Sequence, residues 1–210
     1  KYQFSINIFR TNLKDKIQFS PADDEVKKFG YSYQWENVDD AYVQGVELGA
    51  KANLFRNFNA GINWTFNQGK FKHERADWSD PNDETVKEFP QRLQYAKDSR
   101  NISRFPAMTG DIDLDYTPGT WTFSLTSSLQ GRMFIDYNSE DDGATSKIKK
   151  TNTFMIFNCR AAKRFGTCTV YAGAKNIFSY IQDEKHTDDA AFMYAPVYGA
   201  TWYVGLSVKL

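Results

Sequence analysis

Apolar and polar residues alternate along this chain with a period of two. Tyr2, Phe4, Ile6 and Ile8 are separated by Gln3, Ser5 and Asn7; Ile112 and Leu114 by Asp111, Asp113 and Asp115; Trp121, Phe123 and Leu125 by Thr122 and Ser124. The same rhythm ends the chain, where Trp202, Val204, Leu206, Val208 and Leu210 interleave with Tyr203, Gly205, Ser207 and Lys209. A period of two gives each strand one apolar and one polar face, and helical spacing fits none of these stretches. Mean hydropathy is −0.61, and no run approaches the ~18 apolar residues of a spanning helix. A helical membrane protein is therefore excluded. A barrel is not, because its strands are apolar at alternate positions only.

The links between the runs alternate in length. Short ones fall at Leu54–Asn59, Thr117–Thr120 (with a Pro118-Gly119 pair) and Lys163–Gly166; long polar ones fall at Pro21–Asn37, Lys70–Arg104, Asn138–Asn152 and Gln182–Ala195. Outer-membrane barrels have this layout, with short periplasmic turns and long external loops. The pattern predicts about eight strands, at 2–20, 32–53, 59–70, 105–117, 120–137, 152–163, 167–180 and 197–210. The fold class expected is all-β, an antiparallel transmembrane barrel, with several strands longer than the ~9–11 residues that cross a bilayer. A soluble β-sandwich also alternates, but its turn signals recur every ~8–12 residues. The aromatics, 16% of the chain, gather near strand ends, where Tyr31, Tyr33, Trp35, Tyr42, Trp64, Phe66, Phe71, Tyr116, Trp121, Phe134, Tyr137, Phe178, Tyr180, Tyr198 and Trp202 suit interfacial girdles.

Three segments carry a family likeness. Asn37-Val38, Ala41 and Gln44-Gly45-Val46-Glu47-Leu48, then Gly173-Ala174-Lys175-Asn176-Ile177-Phe178-Ser179-Tyr180, then Pro196 to Leu210 resemble, in order and spacing, signatures of TonB-dependent outer-membrane receptors. Arg104–Gly110, the Pro118-Gly119 turn and Trp121 occupy the place of that family's Pro-containing descent. The resemblance implies the carboxy-terminal portion of a plugged barrel of about 22 strands. It implies residence in the outer membrane of a Gram-negative bacterium, among outer-membrane lipid. It also implies uptake of a small-molecule nutrient, a metal chelate such as a siderophore, haem or cobalamin, with TonB reached through a plug domain. No plug is expected within residues 1–210. Two alternatives remain: a free-standing eight-stranded barrel with a structural or adhesive role, and a barrel enzyme, which lacks any nucleophile-elbow or phosphate-loop motif to support it.

The candidate ligand contacts lie in the long loops. The 70–104 segment offers His73, Arg75, Trp78, Arg92 and Tyr95, and the last loop offers His186; aromatic and Arg side chains suit planar or anionic ligands. No catalytic residue, metal site or cofactor is expected. Asn138–Gly143 fails as a calcium loop, because Lys149 stands where a bidentate Glu must close the shell. Lys+Arg and Asp+Glu balance at 26 each, so no field draws nucleic acid. Cys159 and Cys168 flank a short turn, as a cross-strand disulfide or as two unpaired residues.

Overall fold

The computed structural model describes residues 1–88, 90–138, 147–182 and 195–209. Eight antiparallel strands form one sheet: β1 (Tyr2–Pro21), β2 (Tyr33–Phe55), β3 (Phe58–Phe71), β4 (Met108–Tyr116), β5 (Trp121–Gln130), β8 (Phe154–Phe165), β9 (Cys168–Lys175) and β10 (Thr201–Val208). β6 (Phe134–Asn138) and β7 (Lys147–Lys150) make a separate hairpin, and a one-turn helix, α1 (Asp24–Lys27), links β1 to β2. The sheet is open, with β1 and β10 as its edges. The expected fifth strand, 120–137, is therefore two elements, since the ladder with β4 and β8 stops at Gln130 and Phe134 pairs with Lys150 instead. The closing strand begins at Thr201, not at 197. The other strands differ from expectation by a few residues at their ends.

Register puts the alternating apolar residues on one side. Ile6, Leu48 and Trp64 align across β1–β3; Ile62 meets Ile112, Leu114 meets Leu125, and Ala172 meets Val204. The opposite face carries Asn7, Glu47, Asn63, Asp111, Asp113 and Asp115. There Asn7 donates to Glu47 (3.0 Å), and the Ser124 and Ser128 hydroxyls donate to Asp115 and Asp111. No second layer covers the apolar face among the described residues: Ile6 is 73% exposed and Val204 84%. In water, each such side chain would forfeit about 1.5–3 kcal/mol of burial. Hydrocarbon removes that penalty, and the strand ladders satisfy the backbone.

Gly45 shows why the β2 motif needs a glycine. A Cβ there would collide with the Phe66 carbonyl oxygen and with the Phe9 ring, which lies on the inner face opposite it. The short turns also follow from local chemistry. Asn57, Gly119 and Gly166 hold positive φ (68°, 61° and 60°), which Asn and Gly tolerate best. Beside the turns a row of rings crosses the sheet: Phe55 on Phe58 (centroids 4.8 Å apart), Phe58 near Tyr116 (6.3 Å), Tyr116 by Phe123 (6.5 Å) and Phe123 on Trp121 (5.6 Å). Tyr116 and Trp121 are expected girdle residues, and Phe55, Phe58 and Phe123 join them in this row. Some of the other expected members lie elsewhere: Phe71 is buried beneath the long loop, Phe134 packs inside it, and Tyr180 stacks on Phe154 (5.0 Å).

Cys159 lies opposite Ala174 and Cys168 opposite Phe165, so both are free thiols on the apolar side, several residues out of register.

The faces give a direct test. Ile62→Arg, pointing outward from mid-strand, is expected to cost about 2–4 kcal/mol of folding free energy in lipid. Its neighbour Asn63→Arg, pointing inward, should change stability by no more than ~0.5 kcal/mol. Urea titration of the full-length protein in vesicles reads both; equal losses would mean that the two faces are wrongly assigned.

Candidate functional site

The long-loop end is built from β1, β2, β3 and the 72–107 segment. That segment is not an open loop, as its polar composition suggested. It folds through α2 (Ala76–Ser79), α3 (Glu84–Glu88), α4 (Arg92–Tyr95) and a 3-10 turn (Ala96–Arg100). Trp78 (1% exposed) and Ala96 form a small core, packed by Tyr95 and by Phe134 of β6. Phe134 meets Trp78 edge-on at 6.5 Å, and the Arg75 guanidinium lies 5.7 Å from the Trp78 ring. The Ser99 hydroxyl accepts from the Arg75 amide (2.9 Å) and donates to the Ala96 carbonyl.

Strands hold this cap at both ends. Arg100 donates to the Phe71 carbonyl (3.1 Å), Ile102 N–H donates to the Gly69 carbonyl (3.1 Å), and Arg104 N–H donates to Phe134 (2.7 Å). At its start, Asp39 of β2 accepts from the His73 amide at 2.7 Å, and its other oxygen lies 3.0 Å from His73 Nδ1. Burial alone would raise the Asp39 pKa; the amides of His73 and Asp40 and the His73 ring outweigh it and hold it below the ordinary carboxylate value. Beside it Asp40 accepts from the Asp15 amide, and Lys16 lies over Phe71 (4.7 Å).

The candidate residues thus separate. Arg75, Trp78 and Tyr95 converge on one cluster, with the Trp78 ring inside it. His73 stays exposed at the rim, tied to Asp39. Arg92 is half-buried on α4, and His186 lies outside the described residues, as do residues 139–143 of the rejected calcium motif. Sequence reasoning missed Asp39, although the Asp39-Asp40 pair just before the β2 motif was a signal. It also missed what Asn176 does. This buried side chain donates to the Tyr180 (2.7 Å) and Tyr198 (3.1 Å) carbonyls and accepts from the Tyr180 amide (2.9 Å), clamping the base of the last loop.

Residues 1–177 match the family model described as TonB dependent receptor-like, beta-barrel. The chain belongs to that family. TonB-dependent receptors are outer-membrane proteins of Gram-negative bacteria, so the apolar face is lipid-facing and the inner face is a barrel wall. Solved structures share the fold. The copper transporter OprC is 21% identical with a TM-score of 0.65, matching 98% of this chain and 27% of its own. The ferric citrate transporter FecA is 19% identical with a TM-score of 0.66, over 98% and 28%. The siderophore receptor PirA from Pseudomonas aeruginosa is 17% identical with a TM-score of 0.57, over 98% and 26%. The chain therefore spans about a quarter of the length of the structures it matches.

The Asp39 contact sets a pH dependence. A carboxyl whose pKa is depressed on folding adds stability that is present above its unfolded value of about 3.9 and is lost as pH falls through the lower folded value. Amide exchange at residues 72–75 should therefore accelerate below about pH 4, more than at β4. Asp39→Asn should remove that acid dependence. An unchanged acid profile in that variant would show that Asp39 does not anchor the cap.

Proposed function

We propose that this chain supplies the carboxy-terminal barrel wall and part of the outer cap of a TonB-coupled receptor for a scarce nutrient, a metal chelate. The observation that carries the reading is the family match over residues 1–177. Relatives of the same fold are named for copper, ferric citrate and siderophore, which favours a chelate over an oligosaccharide. The ordered cap fits that role, because a folded segment above a barrel mouth presents polar groups with little ordering cost. Coupling to TonB is assigned to a plug domain, and the described residues are assigned to the wall and the cap. The eight-stranded free-standing barrel needs β1 paired with β10, and the sheet order leaves them at opposite edges.

Within the cap, His73 and Arg92 are the proposed direct contacts, with Arg75 and Tyr95 beside the Trp78 core that orients them. His186 is proposed on the facing loop. The experiment is a binding panel with the full-length receptor: ferric citrate, ferric siderophores, haem, cobalamin, a copper chelate and oligosaccharides, followed by calorimetry. One chelate is expected to bind. Arg92→Ala should weaken it about tenfold, the equivalent of one charge-assisted hydrogen bond at ~1.4 kcal/mol. Trp78→Ala should weaken it through collapse of the cap, read as faster proteolysis at 76–100. Binding of an oligosaccharide and of no chelate would overturn the substrate class.

A further inference from the structure

The lipid-facing wall is not uniform. Across β8 and β9 its outward side chains shrink to Cys159, Ala161 and Ala172, while Tyr116 and Phe123 rise on one side and Trp202 on the other. The result is an apolar groove of about 720 Å³ on the outside of the barrel. That volume is within the ~300–1,000 Å³ of small-ligand clefts.

A charge stands at its foot. Lys163 lies two residues beyond Ala161 on the same strand face, opposite Trp121 and Val170. Among the described residues it is the one charged side chain that the register places on the outer face between the short turns and the level of Arg10, Gln44 and Gln68. Its ammonium sits 4.8 Å from the Trp121 ring centre and 5.0 Å from that of Phe165. No carboxylate pairs with it among the described residues. Rings offset part of the cost of a cation beside lipid, but a lysine in that position reaches for the headgroup level and an anion. The short turns that flank it mark the periplasmic side.

We propose that this groove is a binding site for one glycerophospholipid of the periplasmic leaflet, with an acyl chain along Ala161 and Ala172 and its phosphate on Lys163. Two features select this occupant: the lining is apolar along the groove, and the single cation is placed where an acyl chain meets its phosphate. A protein segment would need an acidic group placed to meet Lys163, and an extended one would leave its polar backbone facing lipid.

The test uses the full-length receptor in vesicles of phosphatidylethanolamine and phosphatidylglycerol carrying a trace of phospholipid with a diazirine in mid-chain. After illumination, peptide mapping should place the label several-fold more densely on 155–174 and 201–208 than on the outward faces of β1–β3. Lys163→Gln should lower that capture about fivefold, the effect of one basic residue beside a lipid phosphate. Ala172→Phe, which fills the groove, should abolish the enrichment. Because the wild-type map needs no variant, a misfolded Ala172→Phe protein does not shield the proposal. Even labelling over the whole outer face would overturn it. So would crosslinks between two receptor copies at 155–174, which would assign the groove to a protein contact.

Discussion

Everything in this sheet depends on backbone hydrogen bonds being satisfied from strand to strand while one face meets hydrocarbon. Lipid offers the N–H and C=O groups no partner, so each strand needs a neighbour on both sides. The register gives β2, β3, β4, β5, β8 and β9 a neighbour on each side, and it leaves β1 and β10 as the edges of the sheet. Such edges are costly in hydrocarbon and prone to association in water. A sheet of this kind is stable as an arc of a closed wall, which agrees with relatives about four times its length.

The same constraint explains which parts were readable. A period of two is enforced wherever one face is lipid and the other is water, because a slip of one residue would exchange them. Ile112 and Asp113, or Leu125 and Ser124, therefore announced their faces from sequence alone. The cap was harder. Its helices have only four or five residues each, too short for an apolar period to appear, and they are fixed by a single tryptophan. The packing of Trp78 with Tyr95 was not legible, because aromatics among polar residues look the same in sequence whether they face solvent or close on one another. The partner that buries Trp78, Phe134, lies far away in sequence and seemed to continue β5. Local pattern carries no information about such a contact.

The rim and the wall also differ in how they are held. In the wall, alternate residues repeat one interaction over many rows. At the rim, individual groups carry several contacts: Asp39 binds both amide and ring of His73, and Asn176 makes three hydrogen bonds at the base of the last loop. Sites that must recognise a ligand benefit from this arrangement. The wall fixes where each loop begins, and a few polar anchors then decide the loop's path without extending the ladder.

The groove at β8 and β9 shows the outer face doing more than satisfying hydrocarbon. A wall that only needed to be greasy would tolerate large side chains at 159, 161 and 172 as readily as at 123 and 125, because no layer packs over them. Small residues in register on two adjacent strands lose apolar contact area unless something fills the space, since unfilled surface forfeits dispersion contacts. A bilayer fills it with a chain, and a cation at the foot biases which molecule that is and how it is oriented. Negative headgroups held there would also shield Lys163 from the hydrocarbon. The groove and the lysine therefore support one another energetically: each is costly without the ligand that the other favours.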